Sequence, residues 1–305
     1  MKIAITGATG FVGKKLVEKL AINHKIVVLT RNVNKAKLIF PTTLQSNLEF
    51  VGYTPKALGD WQNSLDGCDG VINLAGAPIA SRWTPSYKKE ILDSRELGTQ
   101  TLVSAIENCP NKPQFLINAS AIGFYGTSET ATYTEISPAG DDFLGEVCQK
   151  WEAEAQKVTQ EGVRLVIFRL GIVLGDGGAL EKMIAPFKVF AGGPIGEGNQ
   201  WFSWIHIDDL VDLIIRAIED STIQGTFNAT APYPVTMNQL CETLGEVMNR
   251  PSWLPVPSFA LELLLGDGAK VVLEGQKVLP EKTLKEIEYN FQYSTLKPAL
   301  EDIVK

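Results

Sequence analysis

The chain opens MKIAITGATGFVGKKLVEKL, and the glycines at positions 7, 10 and 13 constrain its fold more than any other feature. A β-rich run, KIAITG, breaks at Gly7, and a helical pattern starts near Phe11 with Lys14, Lys15 and Glu18 on its polar side. Glycine allows the tight turn and lets backbone approach a phosphate, while the helix N-terminus offers unsatisfied N–H groups and a positive dipole end. The expected guest is a pyrophosphate. Gly7, Thr9, Gly10, Phe11, Val12 and Gly13 are therefore the expected contacts of a dinucleotide. A glycine-rich turn that merely packs is the simpler alternative; the position directly after an N-terminal strand, at the head of a βαβ pattern, favours the dinucleotide.

Downstream, KIVVLTR, LEFVG, GVINLAG, QFLINAS and RLVIFRLG are separated by connections long enough for a crossover. Continuous apolar strands such as Val71-Ile72-Asn73-Leu74 suit burial on both faces. The expected fold is α/β: a Rossmann-type doubly wound parallel sheet with a smaller, discontinuous C-terminal substrate-side domain. After Gly171 the stretch GDGGALEKMIAPFKVFAGGPIGEGNQ reads as loops around a short helix, and IHIDDLVDLIIRAIED as a strand end entering another helix. The dinucleotide-binding domain is thus expected over residues 1–171 and 203–230, and the smaller domain over 172–202 and 231–305.

With 305 residues, 45% of them hydrophobic, the chain can bury a sizeable core. A net charge of -7 argues against broad capture of nucleic acid or anionic membrane, and leaves a small-molecule substrate as the expected partner. The apolar runs LELLLG and VDLIIRAI are too short or too charged to span a bilayer. The start lacks the long apolar region of a signal peptide, so a cytoplasmic monomer or homodimer is expected. Cys68, Cys109, Cys148 and Cys241 lie far apart, and His24 and His206 are the only histidines. No metal site and no disulfide framework follow from that spacing.

The second strand ends VVLTRN, which puts Thr30 and Arg31 where an acidic residue would grip the ribose hydroxyls of NAD. Arg31 instead offers a cationic fork suited to the 2′-phosphate of NADP, its alternative being an ordinary surface arginine. Asn73, Leu74, Ala75 and Gly76, at the end of the fourth strand, are expected to border the cofactor. Arg82 and Arg95, in the next segment, suit either a cofactor phosphate or substrate anion, or helix-surface salt bridges. Gln200, Trp201, Ser203 and Trp204 suit a cleft lining or, for the tryptophans, the core.

Together GATGFVG, VINLAG, INASAIGFYG, RLVIFRLGIVLGDGG and FSWIHIDDL resemble the extended short-chain dehydrogenase/reductases over nearly the whole chain. SRW at 81–83, SRELGT at 94–99 and VPSFALELLLGDGAKVVLEGQKVLPEKTL resemble its atypical NADP-dependent, sugar-nucleotide epimerase-like branch, some members of which are labelled SulA-type cell-division inhibitors. The resemblance implies a Rossmann fold and NADP, and a Tyr-x-x-x-Lys pair in which lysine lowers the tyrosine pKa and holds the nicotinamide ribose. Here the departure begins. Matching DDFLGEVCQKWEAEA by Glu152 sets Leu144 and Cys148 at those two positions. Lys150 is no substitute, because two residues along a helix turn roughly 200° away from the Cys148 face.

Ser120 resembles the family's serine that bonds a substrate oxygen, and Tyr125 is the remaining acid/base candidate, its alternative being packing beneath the pocket. The expected activity is NADP(H)-dependent oxidoreduction or epimerase-like chemistry on an unidentified small carbonyl or sugar-type substrate. A non-catalytic NADP(H)-dependent sensor or scaffold, linked to cell division, is the alternative, favoured by the lost tyrosine and lysine.

Overall fold

A computed structural model describes residues 1–304. Strands β1 (Lys2–Thr6), β2 (Lys25–Thr30), β3 (Leu48–Gly52), β4 (Gly70–Asn73), β5 (Phe115–Ala121), β6 (Arg164–Leu170) and β7 (Gly225–Ala229) form one seven-stranded sheet. Its order is β7-β6-β5-β4-β1-β2-β3 and every pairing is parallel. The order reverses between β1 and β4, which is where open α/β sheets receive a dinucleotide. Helices α1 (Phe11–Leu20), α2 (Val33–Ile39), α3 (Pro85–Glu107), α4 (Phe143–Gln156), α5 (Gly178–Lys188), α6 (Ile207–Glu219) and α7 (Met237–Met248) follow in chain order. The expected doubly wound Rossmann sheet is what the chain forms.

The strands read as unbroken apolar runs because both faces are covered. On one face Ile3, Ile5, Ile26, Val28, Ile72, Ile117 and Val166 pack against Leu16 and Val17 of α1 and Leu210 and Ile214 of α6. On the other, Ala4, Val27, Val71, Leu116 and Leu165 pack against Leu102, Val103 and Ile106 of α3 and Ala155 of α4. A third apolar cluster joins Leu180 and Phe187 of α5, Leu240 and Leu244 of α7, and Leu296 and Leu300 of the C-terminal helix around the fully buried Trp204. Trp204 is thus core, and Ser203 is buried with its hydroxyl given to the Gln276 carbonyl. Neither lines a cleft.

Helix α6 shows why the sequence pattern was decisive. Ile207, Leu210, Val211, Ile214, Ala217 and Ile218 form one apolar stripe at helical spacing. Asp209, in the same helix, is buried and accepts hydrogen bonds from the Tyr289 hydroxyl and the backbone N–H groups of Gln292 and Tyr293, which ties the C-terminal segment to the sheet. His206 caps the helix through Nδ1, which accepts from the Asp208 N–H, and its ring lies 3.9 Å from that of Tyr293. Among the described residues no helix is long and apolar enough to cross a membrane.

Burial lowers the His206 pKa from its ordinary 6.5, against the pull of Asp208, Asp209 and Asp302 and aided by Lys15. The unfolded chain therefore takes up this proton first as pH falls. Stability is whole above about pH 6.5 and declines below it. In urea denaturation at successive pH values, the wild-type midpoint is expected to fall more steeply below that point than the midpoint of His206→Gln. Parallel curves would refute the assignment.

Candidate cofactor and active site

The turn between β1 and α1 leaves no room for a side chain at Gly7 or Gly13. Gly7 has φ +68°, and a Cβ there would lie 2.6 Å from the Leu74 carbonyl carbon at the exit of β4. A Cβ on Gly13 would lie 2.2 Å from the Gly7 oxygen, so α1 stands directly against the turn. Gly10 is exposed and caps α1 without a side-chain hydrogen bond, and no acidic residue occupies the first turn. The helix end is therefore left for an anion. Thr9 and Val12 are half-buried beside it, and Phe11 packs under the loop at Gly175, where an added Cβ would meet its ring at 2.9 Å.

At the end of β2, Arg31 is exposed and has no hydrogen bond or ion pair among the described residues. The backbone around it is held on both sides: Asn32 N–H donates to the Thr30 hydroxyl at 3.2 Å, and the Asn32 side chain accepts from Lys35 N–H to cap α2.

Toward their carboxyl ends, β1, β4 and β5 turn polar on the face that meets α3. The Thr6 hydroxyl donates to Asn73 Oδ1 at 2.6 Å, and Asn73 Nδ2 donates to Asn118 Oδ1 at 2.7 Å and to the Thr99 hydroxyl at 3.0 Å. Ala75 N–H donates to Thr6 Oγ1 at 3.3 Å. The Asn73 side chain is thus wholly engaged, and it is the backbone of Leu74, Ala75 and Gly76 that borders the cradle. Arg95 reaches this backbone from α3. Its guanidinium donates to the carbonyls of Ile91 and Ala77, each at 3.1 Å, and lies 5.2 Å from the Trp151 ring. Arg82 is exposed and bonds the Leu263 carbonyl instead.

Two residues further along β5 comes a second polar row. Ser120 stands opposite Arg169 of β6, and Arg169 opposite Asn228 of β7. Glu152 of α4 accepts the Ser120 hydroxyl at 2.6 Å and both Nε and Nη2 of Arg169 at 2.8 Å. Arg169 Nη1 donates to the Tyr125 hydroxyl at 3.0 Å, which donates in turn to Asn228 Oδ1 at 2.7 Å. The structure therefore joins Ser120 and Tyr125 through a buried ion pair. Burial opposes the Arg169 charge, but Glu152 outweighs it and holds the guanidinium pKa above its ordinary value. Burial raises the Tyr125 pKa despite Arg169 beside it. The phenol is 2% exposed, stacks on Tyr133 and faces inward.

Sequence reasoning missed Arg169 and Asn228, and used Glu152 only to set a register. A signal existed: Arg169 is the lone charge inside the apolar run LVIFRLG. On α4, Leu144 packs near Gly123 and Cys148 is buried, its thiol pushed up to about 12 by burial and then by the Glu152 charge. Lys150 lies on the solvent side, paired with Glu146 at 2.9 Å. A cavity of about 710 Å³ opens away from the glycine turn, among Glu129, Glu197, Asn199, Gln200 and Glu274. Trp201 stands at its edge, giving its indole N–H to the Glu129 carbonyl.

A family model described as the NAD dependent epimerase/dehydratase family matches residues 3–229. The chain belongs to that family. A second model, a domain of unknown function (DUF1731), matches residues 256–303. Among relatives of this epimerase/dehydratase chain, the Epimerase family protein SDR39U1 homolog, chloroplastic, of Arabidopsis thaliana is 50% identical, the alignment covering 100% of this chain and 87% of that protein. Epimerase family protein YfhF of Bacillus subtilis is 41% identical, with 100% and 98% covered. The crystal structure of human epimerase family protein SDR39U1 (isoform 2), solved with NADPH, superposes with a TM-score of 0.86 at 34% identity and 99% coverage of both chains.

Replacing Glu152 by Gln leaves the Arg169 guanidinium buried without a counter-charge. Loss of one partner of such a pair costs about 3–5 kcal/mol. Chemical denaturation of Glu152→Gln should read that loss; a value near zero would mean that the pair is solvated in the folded protein.

Proposed function

We propose that this chain binds NADP(H) across the β1–α1 turn and acts on a small carbonyl or sugar-type substrate, by net hydride transfer or by transient oxidation during epimerisation. The observation that carries the cofactor is the glycine turn, which packs Gly7 on the Leu74 backbone and α1 on Gly7 while leaving the α1 N-terminus exposed and without a side-chain cap, beside a free Arg31 and with no acidic residue at the end of β2. These residues fit a phosphorylated dinucleotide. Gly7, Thr9, Gly10, Phe11, Val12 and Gly13 would hold its pyrophosphate, Arg31 its 2′-phosphate, and Leu74 to Gly76 with Arg95 its nicotinamide side. Bound nicotinamide would supply or accept the hydride.

The chain's own part is orientation and proton control. Ser120, whose hydroxyl donates to Glu152 at 2.6 Å at the carboxyl end of β5, would give that hydrogen bond to a substrate oxygen instead. Tyr125 acts through Arg169 as a positioning residue, since its hydroxyl already donates to Asn228 and accepts from Arg169. The cavity bounded by Glu197, Glu262, Asp267 and Glu274 belongs almost wholly to the smaller domain, and its carboxylates would accept bonds from sugar hydroxyls.

The sensor or scaffold reading keeps one specific support: Leu144 and Cys148 stand where the family's acid/base pair would be. Turnover under a screen of carbonyls and sugar nucleotides separates the two. Ser120→Ala should lower that turnover by roughly 10²-fold, whereas Lys150→Ala, an exposed member of a surface pair, should leave it unchanged.

Isothermal titration should show preference for NADP(H) over NAD(H), and Arg31→Asp should remove it at a cost of about 1.5–3 kcal/mol. Equal affinities in the wild type would end the NADP assignment.

A further inference from the structure

At the carboxyl edge one guanidinium is balanced and another is not. Arg169 is matched by Glu152. Arg95 gives its hydrogen bonds only to two carbonyls, and no carboxylate pairs with it among the described residues. Burial lowers its pKa. A guanidinium nonetheless stays charged at any physiological pH, so this is a half-buried cation awaiting an anion or an array of oxygen acceptors.

Its position is set from two sides. A Cβ at Gly76 would come within 3.0 Å of Arg95 Cζ, which places the guanidinium on the backbone bordering the cradle. Its other side lies over Trp151, three residues after Cys148 on α4 and therefore on the same helix face. The Trp151 indole N–H is itself buried without an acceptor. Cys148 is the position at which the family places lysine, and its buried thiol carries no charge to replace it.

We infer that Arg95 supplies from α3 the cation that α4 lacks at Cys148, and that it holds oxygen atoms of the nicotinamide half of NADP(H). The inference rests on the NADP(H) reading above. It also accounts for the apolar α4 face: with the cation carried by a neighbouring helix, Leu144 and Cys148 are free to pack. A guanidinium holds hydroxyl or phosphate oxygens well but gives up no proton near neutrality, so Arg95 replaces the holding role of lysine and leaves proton transfer elsewhere.

The test titrates wild type and Arg95→Gln with two ligands: NADPH, and adenosine 2′,5′-bisphosphate, which lacks the nicotinamide half. Glutamine can still bond a carbonyl of Ile91 or Ala77 while removing the charge. Arg95→Gln should bind NADPH roughly 10- to 100-fold more weakly and adenosine 2′,5′-bisphosphate as the wild type does. Unchanged NADPH affinity would overturn the inference. So would equal loss of both ligands, which would make Arg95 a structural residue of α3. A wild-type protein that binds neither ligand would instead sink the NADP(H) reading itself.

Discussion

The parallel register of β5, β6 and β7 is the constraint on which the carboxyl edge depends. It sets Ser120, Arg169 and Asn228 side by side, so that one carboxylate from α4 can hold both the serine and the arginine. A slip of one residue would turn each of these side chains to the opposite face and bring apolar neighbours in their place. The same alternation that packs Leu116 and Leu165 against α3 and α4 delivers Asn118, Ser120 and Arg169 to that face further along. Core and site are therefore one pattern, apolar until the sheet approaches its end and polar there. The buried ion pair fixes α4 in turn, since Glu152 must reach Arg169 with both oxygens while Cys148 and Trp151 pack on the same side.

The parts legible in the sequence are those that depend on neighbours along the chain. The glycine turn, the strand–helix alternation and the Lys150 rotation need only local geometry, and all are found where the residues put them. Contacts between strands are another matter. Arg169 is 49 residues from Ser120, and nothing in INASAIG or VIFRLG says that the two strands are adjacent and in register. For the same reason the phenol of Tyr125 could not be aimed: its partner Asn228 lies 103 residues away. Trp204 reads as cleft or, more often for a tryptophan, as core, and the third apolar cluster decides for core; Ser203 reads as cleft lining and is buried instead.

Charge at the site runs against charge in the whole. The chain carries a net -7, yet among the described residues no carboxylate pairs with Arg31, at the end of β2, or with Arg95, on α3. An exposed arginine such as Arg31 costs little when empty. Arg95 is different, since a half-buried cation held by two carbonyls and the Trp151 ring gives up hydration without gaining a counter-charge. With the α1 N-terminus between them, the two cations describe a path for an elongated anion rather than a single point of attraction.

What distinguishes an enzyme from a binding module here is the supply of a movable proton. Arg95 and Arg169 retain theirs. The Cys148 thiol, pushed up to about 12, neither gives nor takes one near neutrality, and the Tyr125 phenol is committed between Arg169 and Asn228. That leaves the Ser120 hydroxyl, bonded to a carboxylate whose other contacts are to Arg169. Glu152 orients the serine, because the same carboxylate is fixed by Nε and Nη2 of Arg169. The proposed substrate contact therefore falls to a hydroxyl that already donates to Glu152, and that bond would have to be exchanged for one to the substrate oxygen.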